Sequence, residues 1–192
     1  GLIIGTFTLT GLALNASSII INLSGGIDLL VLICVVLASI VLGMGMNTVA
    51  AFMLVSILGV PALREIGIDN VTAHMFVFYA ALLSHITPPV CLAVFAAAQI
   101  AGANIWATSF QAMKMGLIAY LMPFLIAGSP SLLLGVSNNF SLISVISAFV
   151  GSAIAACAVE GWLFNTLTAL SRIILGTGAT CLILPIPHGL LV

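Results

Sequence analysis

Two short stretches gather polar atoms within an otherwise apolar chain: Gly43-Met44-Gly45-Met46-Asn47-Thr48 and Ser84-His85-Ile86-Thr87-Pro88-Pro89-Val90. Each is built to interrupt a helix. Two closely spaced glycines followed by Asn favour a turn in the first. In the second, Pro88 pushes Thr87 out of helical geometry, and consecutive prolines remove two amide donors, so the hydrogen-bond ladder has to open. Opened backbone at membrane depth is tolerated only where it is buried in protein or lines a wet cavity. Secondary transporters use such openings for binding: carbonyls at half-helix C-termini hold cations, and half-helix N-termini face anionic substrate groups. A lone Pro or Gly is ordinarily a packing kink, but two breaks flanked by Ser, Thr or Asn favour a binding role. Asn47, Thr48 and His85 are the candidates for substrate contact. An ionisable group inside a membrane segment is a functional candidate by default, and the bland alternative for His85 is a cavity-facing or interfacial side chain.

The elements that must position these stretches are membrane helices. Of the 192 residues, 63% are hydrophobic and 4% charged, against about a quarter charged in a soluble domain, and mean hydropathy is +1.42. No soluble fold hides that much apolar surface, so the partner is a lipid bilayer. The charged residues are Asp28, Arg64, Glu65, Asp69, Lys114, Glu160 and Arg172. The first four flank apolar runs as loop charges, while Lys114 and Arg172 stand at run starts, where they can snorkel. A net charge of −1 without a basic cluster excludes nucleic acid, which needs convergent Lys or Arg. Cys34, Cys91, Cys157 and Cys181 sit singly in apolar runs, without metal or redox spacing, and read as small buried hydrophobes.

Apolar runs cover residues 1–23, 29–60, 71–103, 112–134, 140–160 and 171–192, with joints such as Ser24-Gly25-Gly26 and Ser137-Asn138-Asn139. They do not alternate as the strands of a membrane barrel would. The expected fold is an all-α polytopic membrane protein with five to six hydrophobic segments. As one helix, 29–60 would be about 48 Å long against a hydrocarbon core of about 30 Å. It is expected to be a re-entrant hairpin, with arms of about 13–14 residues, each about 20 Å. The run 71–103 is expected to be a broken transmembrane helix. With no initiator Met and no signal peptide at Gly1, the chain is expected to begin mid-protein.

Order and spacing carry a resemblance. The stretches Gly1-Leu2-Ile3-Ile4-Gly5 through Leu9-Thr10-Gly11-Leu12, Leu23-Ser24-Gly25-Gly26 and Leu42 to Met46 resemble the fused large permease of tripartite ATP-independent periplasmic (TRAP) transporters. His74 to Tyr79, Leu83 to Val90 and Ile100-Ala101-Gly102-Ala103 are similar to the same family. The resemblance runs to about Gly135, so 1–135 is expected to be the C-terminal half of a transport region and 136–192 to be C-terminal transmembrane helices. It implies an elevator-type importer of organic acids, dicarboxylate-like, in a bacterial inner membrane. Sodium is the implied coupling ion, and the implied partners are a periplasmic solute-binding protein and the N-terminal remainder of the permease. Carried over by position, the sodium ligands are carbonyls near Gly43, Ser84 and Val90, with Thr87 offering carbonyl and hydroxyl oxygens, and oxygen is what a hard cation takes. The sequence departs from the family at Asn47, where members usually carry Pro or Asp, and at Ser84, where standalone permeases often carry Gly.

Two other functions compete. A channel also uses broken helices, but needs a selectivity ring from several subunits. An intramembrane enzyme needs a nucleophile with a base, or a metal set, and no GxSG, HExxH or paired intramembrane Asp is present.

Overall fold

The computed structural model describes residues 5–6, 10–128, 142–163, 165–166 and 168–183. Two compact units share the chain, Gly1–Ala112 and Met113–Val192. In the first, α1 (Leu12–Ser24) ends where Gly25 and Gly26 adopt φ of 59° and 76°, a left-handed turn that glycine makes without a Cβ penalty. Helix α2 (Asp28–Gly43) and α3 (Thr48–Glu65) follow, separated by the first break. Asp69 then caps α4 (Asn70–Leu83), its Oδ2 accepting from the Val71 amide at 3.0 Å. Beyond the second break lie α5 (Leu92–Ala101) and α6 (Ile105–Met115), bent by 120° relative to each other.

Lipid tails are as apolar as Leu, so membrane helices associate through close packing, which small residues permit. The core of α2, α3 and α4 is built that way. Val31, Val35, Ala51, Ala62, Ala73, Phe76, Ala80 and Ala81 are fully buried. At Gly59 a Cβ would lie 3.0 Å from Val35 Cγ1 and 3.5 Å from Val77 Cγ2, so the three helices close on the missing side chain. The Val35–Gly59 approach, with a short turn joining α2 to α3, makes these two helices an antiparallel hairpin.

Its arms are longer than the pattern predicts, 16 and 18 residues, or about 24 and 27 Å. The apolar run ends at Val60, yet α3 continues through Pro61 to Glu65. Ala62 and Leu63 in that last turn are fully buried, and their packing outweighs the one helical bond that Pro61 cannot donate. Residues 104–111, expected to be a polar joint, form most of α6. Asn104 Oδ1 accepts from the Trp106 and Ala107 amides at 3.0 and 3.2 Å, an N-cap that starts the helix.

The second unit holds α7 (Leu117–Gly128), α8 (Leu142–Glu160) and α9 (Ala169–Ile183). Leu125, Ala155 and Ala179 form its buried cluster. Arg172 turns back onto the C-terminus of α8, where its guanidinium donates to the Ala158 and Val159 carbonyls at 3.0 and 2.7 Å, a cation answering the helix dipole. Lys114 pairs with Glu160 at 3.6 Å. The only β structure among the described residues is a two-residue antiparallel ladder, β1 (Trp162–Leu163) with β2 (Asn165–Thr166). The expected joint Ser137-Asn138-Asn139 lies outside the described residues.

Among the described residues, α3 alone has the length and apolarity to cross a membrane. Helices α5 and α6 reach that length only as a bent pair, and α2, α4 and α7 are shorter apolar helices.

Candidate functional site where two chain breaks meet

At the first break the chain leaves α2 with Met44 donating to the Val41 carbonyl at 3.4 Å and Met46 to the Gly43 carbonyl at 3.3 Å. Gly45 takes φ of 74°, a left-handed conformation that reverses the chain where a side chain would be strained. Asn47 is extended, and its Oδ1 accepts from the Ala50 amide at 2.8 Å, capping α3. At the second break, α4 ends in a tightened turn: the Ser84, His85 and Ile86 amides donate to the Ala81, Leu82 and Leu83 carbonyls, each at 3.2 Å. Ser84 Oγ donates to the Ala81 carbonyl at 2.7 Å, and Thr87 Oγ1 to the Leu83 carbonyl at 2.6 Å. The Pro88–Pro89 peptide is cis.

Tertiary packing brings the two breaks together. A Cβ on Gly43 would lie 2.6 Å from Ser84 Oγ and 2.9 Å from Ser84 Cβ. Thr48 Oγ1 stands 3.0 Å from His85 Nε2. A Cβ on Gly45 would lie 3.7 Å from Val90 Cγ1. Three pairings therefore stitch one seam, and Gly43, Ser84, Val90, Thr48 and His85 all belong to it. Thr87 and Asn47 lie on the same two turns, with their side chains bonded to local backbone as above.

The family model described as "Tripartite ATP-independent periplasmic transporter, DctM component" matches residues 1–140. The chain belongs to the DctM family. It is a membrane component of a TRAP transporter, not an enzyme. No curated protein and no solved structure is a significant match. The matched region of this DctM chain contains both breaks and ends before α8.

The seam contains no Asp, Glu, Lys or Arg, so its polarity comes from backbone, hydroxyl, amide and imidazole groups. Among the described residues no three His, Cys, Asp or Glu converge as a metal cluster would. Beside the second break lies a cavity of about 230 Å³, lined by Pro88, Pro89, Phe95, Asn104, Trp106 and Ser109. Sequence reasoning missed this wall, because it depends on the 120° bend that folds α6 back beside the prolines. Of the lining residues, Ser109 meets the buried thiol of Cys91, whose Sγ is 3.0 Å from Ser109 Oγ. The burial was legible in the apolar run around Cys91, whereas the partner 18 residues away was not. His74 bonds the Asn70 carbonyl at 2.7 Å through Nδ1 and takes no part in the seam.

Proposed function

We propose that this DctM chain carries one sodium site of a multi-pass importer of organic acids in a bacterial inner membrane. Residues 1–135 form part of the transport region and 136–192 its C-terminal helices. The observation that carries the reading is the meeting of two helix breaks, Gly43 against Ser84 and Gly45 against Val90. Backbone carbonyls at Gly43, Ser84 and Val90, with the Thr87 oxygens, are the ligands, because a hard monovalent cation takes neutral oxygens and the breaks provide them without a carboxylate. The organic acid, dicarboxylate-like in class, approaches on the Asn47 flank, bordered by Thr48 and His85. A periplasmic solute-binding protein delivers it, and the N-terminal remainder of the permease supplies the opposite wall.

The test is uptake into proteoliposomes by the assembled transporter under a sodium gradient, with and without its binding protein. Saturable uptake that requires both supports the reading, and Thr87→Val should then raise the half-saturating sodium concentration about 5–10-fold, the loss of one oxygen contact. Non-saturable flux independent of sodium and binding protein would overturn it in favour of a channel.

A further inference from the structure

We propose that the Thr48–His85 hydrogen bond is a latch between the two breaks, a pair of positioning residues that holds the hairpin tip in register with the Ser84–Val90 turn. The inference rests on the sodium reading for its transport readout but not for its structural one. The bond spans 37 residues and measures 3.0 Å. Other polar side chains of the two breaks bond inside their own turn: Asn47 to the Ala50 amide, Ser84 to the Ala81 carbonyl, Thr87 to the Leu83 carbonyl. Gly43 and Ser84 meet only as packed atoms. Thr48–His85 is thus a directional bond that crosses the seam.

Its place in the chain gives it leverage. Thr48 is the first residue of α3, directly after the turn, and His85 lies in the turn directly after α4. Both stand at the ends of their helices, where the backbone ladder is incomplete. The carbonyls at Gly43 and in the Ser84–Val90 turn must be held at a fixed mutual distance to share one ion, and preorganised oxygens bind a cation without first ordering the loop. Either role of Nε2 preserves the bond, since a hydroxyl both donates and accepts. The latch is therefore a matter of geometry and not of imidazole charge. The pair is half-buried, at the edge of the packed core and not within it.

Two readouts on the assembled transporter test it, using Thr48→Val, His85→Leu, the double variant, and the bond-keeping Thr48→Ser and His85→Gln. In sodium-free buffer, hydrogen–deuterium exchange at residues 44–47 and 84–87 should quicken about 5–10-fold in either bond-breaking variant, the value of one partly buried hydrogen bond. The double variant should match the singles, because one shared bond is lost once. Thr48→Ser and His85→Gln should stay within about twofold of the parent chain, and they keep the test decisive if the bond-breaking variants insert poorly. Half-saturating sodium should rise in the same order. Exchange that is unchanged, or additive in the double variant, would overturn the latch. The expected exchange pattern together with sodium-independent uptake would keep the latch and remove sodium from the proposed function.

Discussion

At Gly43 the backbone is helical, so the demand for glycine comes from the neighbouring turn and not from a strained φ. An Ala there would gain about 1 kcal/mol of helix propensity. Its methyl would sit 2.6 Å from Ser84 Oγ and 2.9 Å from Ser84 Cβ, and overpacking of that kind costs about 1–3 kcal/mol. Gly43→Ala should therefore lower the thermal unfolding midpoint of the detergent-solubilised protein. Ser84→Gly in the same chain removes the clashing atoms and should restore it. Failure of the double variant to recover would mean that the two turns do not touch as described. Gly45 is glycine for the other reason, since its φ of 74° costs about 1–2 kcal/mol for a residue bearing a Cβ.

At the scale of elements the question is whether 29–60 is a hairpin or an interrupted span. Helices α2 and α3 lie side by side at Val35 and Gly59, joined through Met44–Asn47, which sets Asp28 and Arg64 at the same end of the pair. Single cysteines at those two positions should therefore react with an impermeant thiol reagent from the same side of the membrane, in a background lacking Cys34, Cys91, Cys157 and Cys181. Labelling from opposite faces would replace the hairpin with a span broken at Gly43. The apolar pattern announced both helices, because long apolar runs in lipid have few alternatives to helix. Their lengths were less legible. Pro61 is a stop signal taken alone, and only the burial of Leu63 beneath neighbouring helices shows why the helix continues past it.

For the whole molecule, the outward faces are as apolar as the core: Leu23, Ile100 and Phe149 are 75%, 89% and 77% exposed. Water penalises such surface by about 25 cal/mol per Å², whereas acyl chains do not. The protein should accordingly stay in the membrane pellet after an alkaline carbonate wash and enter solution only with detergent. Recovery in the aqueous supernatant would contradict a bilayer-embedded chain. Charges sit where this picture requires them. Asp28 opens α2, Arg64 and Glu65 close α3, and Asp69 caps α4, all at helix ends and none at mid-helix.

Composition and local chemistry determined that the chain is helical, that it belongs in a membrane, and that it breaks at Gly43–Thr48 and Ser84–Val90. Those properties are carried by single residues and their immediate neighbours: glycine's free φ, proline's missing amide, the scarcity of charge. The order of the same residues also carried the likeness to TRAP permeases. Helix α6 escaped the reading because its start depends on the Asn104 side chain bonding two amides, and its run of Thr108, Ser109 and Gln111 is too polar to look like a span. What only the tertiary structure decided is that the two breaks meet. No local rule links Gly43 to Ser84 or Thr48 to His85. Their approach follows from three helices packing on small side chains around Gly59, and that packing is a property of surfaces that exist only once the helices have formed.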